Sequence, residues 1–213
     1  MKAKVSRIEQ RIKQMQPSGW KEFLQVVQVL QAAGAIDSES NELLPLGVSA
    51  LAIRGVNELW LAVALSTENL NALKPAELAA ICGTLVGEGT KVRPDAGSSI
   101  LYEPSNVVTS WIKCIESKRQ WLLELQTKNG VEFPCELDSQ FSGLVEAWAL
   151  GVNWKELMMD CGMDEGDVAR LLRRSIDLLT QIPFLPRVSS TLAATARIAA
   201  EVMDRPPISE LVG

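Results

Sequence analysis

The amino-acid sequence predicts an all-α fold, a helical bundle with an N-terminal helical-hairpin remnant. Three observations carry this. Apolar residues recur at three- and four-residue spacing through most of the chain. No segment sustains an alternation of period two, and proline, glycine and capping residues cut the chain into helix-length pieces.

Residues 4–16 read as the end of a helix closed by Pro17, Ser18 and Gly19, the returning arm of a hairpin. Ser18 is placed to cap a second helix with Trp20, Phe23, Leu24, Val27 and Leu30 on one side, and Gly34 stops it. The Pro45-Leu46-Gly47 corner opens a helix to about Leu65, apolar on most sides and therefore expected inside. Arg54, Asn57 and Glu58 fall within it, where polar groups satisfy one another or cap a neighbouring helix end. Residues 66–69 break that helix. Pro75 then suits a first helical turn, followed by Leu78, Ala79, Ala80 and Ile81 up to Gly87.

Residues 89–103 are expected to form the longest loop, and residues 104–128 a long helix with Val108, Trp111, Ile115, Leu122 and Leu125 inward. Ser139 is placed to cap a helix burying Phe141, Leu144, Val145 and Trp148, which ends near Gly151; residues 154–159 make a short one. Asp164 and Asp167 approximate a capping box at the start of a helix over residues 165–182. Its apolar stripe is Val168, Leu171, Leu172, Leu179 and Ile182, with Ser175 among them. Pro183 and Pro186 end it, and Ser189 or Ser190 caps a last, alanine-rich helix to about Asp204.

With 47% apolar and 22% charged residues, the composition is that of an ordinary globular protein. The longest apolar runs, such as residues 59–65, fall far short of the about 20 residues that span a bilayer, so no membrane association is expected. Residues 1–13 lack the apolar core of a secretory signal, and a start inside an amphipathic helix reads as a piece of a longer chain. Cys82, Cys114, Cys135 and Cys161 contain no C-x-x-C pair and there is no histidine. Free, mostly buried thiols are expected rather than a zinc site, and imidazole-based catalysis is excluded. The net charge of −5 is uneven: residues 1–21 hold six basic residues against Glu9. The remainder is acidic and makes no basic glove for nucleic acid.

No phosphate-binding glycine loop and no D-E-x-[HD] box is present, so the chain alone is not expected to hydrolyse ATP or to hold a cofactor. The candidate binding residues lie on the helix over residues 165–182. Arg170, Arg173, Arg174 and Asp177 stand at i, i+3, i+4 and i+7, one face of a helix. Guanidinium groups stack on bases and bind phosphate, and a carboxylate accepts from base amino groups. The structural alternative is an Arg173–Asp177 ion pair on a solvated face, worth about 0.2–0.5 kcal/mol. Arg54 carries the same two readings, RNA contact or a structural polar group. The six tryptophans stand at core-like positions.

Several segments form an ordered pattern. Pro45-Leu46-Gly47 is followed by Ala52-Ile53-Arg54-Gly55 with Asn57-Glu58-Leu59, then by Leu73, Pro75, Ala76, Leu78 and Ala79. Downstream come residues 141–149 (FSGLVEAWA), Glu165-Gly166-Asp167, Arg173-Arg174 and Ile176-Asp177-Leu178-Leu179. Together these resemble the DSHCT domain, the C-terminal helical domain of superkiller/exosome-type DExH RNA helicases. Residues 20–26 (WKEFLQV) and the tail Met203-Asp204-Arg205-Pro206-Pro207-Ile208 are similar more narrowly to the DEVH-box helicases of chloroplasts and cyanobacteria.

The resemblance implies a bundle over residues 37–213 that packs on RecA-like motor domains and guides single-stranded RNA during unwinding. Residues 1–36 would be the end of an arch- or stalk-like insertion. ATP and magnesium would bind only in the upstream motor domains. The family's base-touching arginine and acidic residue would correspond to Arg174 and Asp177, with Arg173 adjacent. The chain departs from the family at Val56, where glutamate is usual, and at Asp177, shorter than the expected glutamate. The location implied is the chloroplast stroma or the cyanobacterial cytoplasm. The alternative reading is a non-catalytic protein-interaction or self-association module.

Overall fold

The computed structural model describes residues 18–87 and 102–210, and the helix expected over 4–16 and most of the loop expected over 89–103 lie outside the described residues. Within them the fold is all-α. The helices are α1 (Ser18–Ala32), α2 (Pro45–Ala52), α3 (Glu58–Leu65), α4 (Pro75–Val86) and α5 (Asn106–Lys128). They continue as α6 (Ser142–Ala149), α7 (Trp154–Asp160), α8 (Glu165–Gln181) and α9 (Ser190–Met203). Among the described residues, extended pairing is limited to an isolated bridge between Ile36 and Leu43, and no helix is long and apolar enough to cross a membrane.

The central element is α4, which packs against α5, α6, α8 and α9. It begins with Pro75 at its first turn, and the Glu77 carboxylate accepts the Lys74 N–H at 2.7 Å. Every residue from Ala76 to Leu85 is then buried. Gly83 lets α6 come close, because a Cβ there would stand 2.8 Å from a methyl of Val145. The expected inward residues of α6 are all buried: Phe141, Leu144, Val145 and Trp148. A fully buried leucine or phenylalanine contributes about 1.5–3 kcal/mol, so this contact anchors the bundle. Trp148 donates its indole N–H to the Met203 carbonyl at 2.9 Å, which ties α6 to the end of α9.

Several sequence expectations are corrected. The helix expected from Pro45 to Leu65 is two helices, α2 and α3, separated by an extended strap over residues 53–57. Asn57 restarts the helix by accepting the Trp60 N–H at 3.0 Å with its side chain, a stronger local signal than the apolar run suppressing it. The described part of α1 begins at Ser18, so its expected start lies at the edge of the described residues. Ser139 helps start α6 through its carbonyl, which accepts the Ser142 N–H at 3.2 Å. Asp164 makes no side-chain cap; the Asp167 N–H goes to its carbonyl at 3.0 Å. Ser189 does cap α9, accepting the Leu192 N–H at 3.0 Å.

The tryptophans divide. Trp60, Trp111 and Trp148 are core residues, whereas Trp20 is 54% and Trp121 42% exposed. Trp20 stacks on Phe23, itself exposed, with ring centroids 5.3 Å apart. The stripe by which α1 meets the bundle is therefore Val26, Val29 and Leu30, with Ala33 just past the helix end, about two turns later than the spacing of Trp20 and Phe23 implied.

Candidate nucleic-acid interface

Helix α8 buries Val168, Leu171, Leu172, Ser175, Leu178 and Leu179. Each helical residue is rotated by about 100° from the last. The consecutive pair Arg173 and Arg174 therefore diverges onto the two flanks of the solvent ridge that carries Arg170 and Asp177. On the Arg174 flank, α8 faces the 53–57 strap across a cleft of about 210 Å³. Arg54, Gly55, Val56 and Asn57 form one wall, and Arg174, Asp177, Leu178 and Gln181 form the other. Trp60, Leu61, Leu85 and Pro134 make an apolar floor, with Glu136 at its margin.

The strap holds this wall because it is pinned at several points. Ile53 is buried, 2% exposed, and Asn57 Nδ2 donates to Gln126 Oε1 at 3.2 Å inside the core. Gly55 presses against the Leu61 side chain, where a Cβ would overlap it. Gln181 accepts the Arg54 N–H at 2.6 Å and donates to the Asp177 carbonyl at 3.1 Å. The floor is fixed by the Trp60 indole N–H, which donates to the Glu136 carbonyl at 2.7 Å.

The five candidate residues thus separate. Arg54, Arg174 and Asp177 come together in the cleft, although Arg54 and Arg174 are far apart in sequence. Arg170 forms an exposed intrahelical ion pair with Asp167 at 2.8 Å, one turn before the Arg173–Asp177 pair that the spacing allows. Arg173 lies outside the cleft lining, with its Nη2 buried and without a hydrogen-bond partner. Two cleft residues were not singled out by sequence. Gln181 continues the Arg174–Asp177 stripe at i+7 and i+4, a signal that was available. Glu136 comes from an irregular segment with no periodicity to mark it.

Chemically, the cleft offers two guanidinium groups, of Arg54 and Arg174, and two carboxylates, the exposed Asp177 and the half-buried Glu136, over an apolar floor. Guanidinium groups can bind phosphate or stack on a base, and a carboxylate can accept from a base amino group. Among the described residues no group of three or more Cys, Asp or Glu side chains is placed to hold a metal ion. The four cysteines are free thiols; Cys82, Cys135 and Cys161 are buried and Cys114 is exposed.

Comparison with known proteins matches residues 40–210 to the DSHCT (NUC185) domain. The chain is 52% identical over all 213 residues to the chloroplastic DExH-box ATP-dependent RNA helicase DExH15 of Arabidopsis thaliana. It spans 18% of that relative's length.

Proposed function

Because the chain belongs to the DSHCT (NUC185) domain family, we propose that it serves as the C-terminal helical domain of an ATP-dependent RNA helicase. In this reading the bundle of residues 37–213 packs on RecA-like motor domains and guides single-stranded RNA. Residues 1–36 are the end of a stalk-like insertion. ATP hydrolysis and its magnesium belong to the motor, and the chain contributes position rather than chemistry. The relative's name supports a chloroplast location; in this reading the chain works in the chloroplast stroma or in the cytoplasm of a cyanobacterium.

The observation that carries the RNA reading is the cleft, where Arg54 of the strap and Arg174 of α8 converge over an apolar floor. Arg54, Arg174 and Asp177 are its RNA contacts, and Arg170, paired with Asp167, and Arg173 stand outside the cleft on the helix that carries Arg174. Binding of labelled single-stranded RNA to the chain is expected to weaken as salt rises, since each neutralised phosphate releases counterions. Arg174→Ala is expected to lower affinity by about tenfold without changing the melting temperature. In the complete helicase the same change is expected to lower RNA-stimulated ATPase and unwinding. RNA affinity and unwinding that are both unchanged in Arg174→Ala would sink the reading.

A second reading, a protein-interaction or self-association module, is favoured by the stacked and exposed Trp20 and Phe23. Dimerisation in light scattering, abolished by Trp20→Ala and accompanied by no RNA binding at low salt, would establish it instead.

A further inference from the structure

We infer that Gln181 is a positioning residue for RNA at this cleft, acting through Arg54. The inference rests on the RNA reading above and goes one step beyond it. Arg54 stands in the extended strap with an exposed side chain, so nothing in helix geometry fixes where its guanidinium goes. Its peptide group is fixed instead by one amide from the far wall. Gln181 Oε1 accepts the Arg54 N–H at 2.6 Å, and Gln181 Nε2 faces the Arg54 carbonyl at 3.5 Å. The same Nε2 donates to the Asp177 carbonyl at 3.1 Å. A single side chain therefore bridges the backbone of two cleft residues on opposite walls.

The bond to Asp177 alone is what any glutamine in a last helical turn can do, satisfying a carbonyl four residues back. The bond to Arg54 serves no helix. It joins positions 127 residues apart, one on each wall of the cleft. The other strap anchors, buried Ile53 and the Asn57–Gln126 bond, are independent of it. Removing the Gln181 amide therefore frees the Arg54 end of the strap and leaves the fold standing. Binding groups held in place before the ligand arrives bind more tightly than groups that must be ordered by it.

The test is a double-mutant cycle on the 213-residue chain. A fluorescein-labelled single-stranded RNA of mixed sequence is the probe, read by anisotropy, with thermal denaturation of every variant. Gln181→Leu keeps the volume and removes the amide; Gln181→Met is the second choice should the first fail to fold. Gln181→Leu is expected to weaken binding by about fivefold in the wild-type background and by less than about twofold in Arg54→Ala, because coupled residues are not additive. Full additivity of the two changes, or wild-type binding by Gln181→Leu while Arg54→Ala binds poorly, would overturn the inference and leave the RNA reading intact. Wild-type binding by Arg54→Ala and Arg174→Ala alike would remove both.

Discussion

The Arg205 guanidinium lies 3.4 Å from the centroid of the Trp148 ring, and its Nη2 donates to the Trp148 carbonyl at 2.7 Å and the Val152 carbonyl at 2.6 Å. Trp154 meets the same indole edge-on, with centroids 5.8 Å apart. One arginine from beyond α9 thus holds the end of α6 by its ring and by its carbonyls. Arg205→Ala is expected to cost about 2–3 kcal/mol, from a desolvated cation–π contact and charge-assisted hydrogen bonds. Arg205→Lys keeps the cation without the planar fork and is expected to recover less than half of the loss. Urea denaturation of the three proteins checks this.

Asn57 combines a helix cap with a buried bond to Gln126, so its loss is felt twice. Asn57→Ala is expected to destabilise by about 2–3 kcal/mol, the sum of a lost cap and a buried amide left unsatisfied. Gln126→Leu in the same background is expected to return no stability, because Gln126 Nε2 also donates to the Phe133 carbonyl at 3.0 Å, which the leucine would leave without that bond. Thermal melts of the single and double variants decide it.

Two glycines predict opposite signs. A methyl on Gly143 would overlap the Tyr102 carbonyl, so Gly143→Ala forces backbone apart and is expected to cost about 3 kcal/mol. Gly166, in the first turn of α8, has nothing within 4 Å of its would-be Cβ and no left-handed backbone. Gly166→Ala is expected to stabilise by about 0.5 kcal/mol through the unfolded chain's lost freedom. Chemical denaturation of both variants gives the signs.

The thiols should react in two classes. Burial pushes the Cys82 thiol far above its ordinary range and Cys135 up to about 11, the latter partly opposed by the Gln126 hydrogen bond. Both are protonated and hidden at neutral pH, and Cys161 is buried. A thiol-specific reagent at pH about 8 is expected to modify Cys114 alone in the native protein and the remaining cysteines only after denaturation. Cys114→Ser is expected to abolish the native reaction.

What the sequence made legible follows from where the physical signal was local. The α8 stripe from Val168 to Leu179 repeats with helical period and is buried as read. The central burial of α4 was visible in Leu78-Ala79-Ala80-Ile81, and the inward face of α6 in Phe141, Leu144, Val145 and Trp148. The strap was hidden because the uniformly apolar residues 59–65 continue the pattern of α2, while the break rests on one asparagine whose side chain reaches the Trp60 N–H. Trp20 and Phe23 misled for the opposite reason: they have helical spacing, but α1 meets the bundle further along. The cleft was half legible. Arg174, Asp177 and Gln181 share a helix face that spacing reveals, whereas the approach of Arg54 is tertiary, through a bond between residues 127 positions apart.

The bond from the Trp148 indole to the Met203 carbonyl joins residues 55 positions apart, with the later partner near the end of α9. A ribosome adds about 5–20 residues per second, so the tryptophan is made about 3–11 s before its acceptor. During that interval the α4–α6 layer lacks α9, which covers part of it, and its largest side chain lacks a polar partner. Closure of the α4–α6 layer therefore comes late in the life of the nascent chain, because its apolar centre must wait for α9 to arrive.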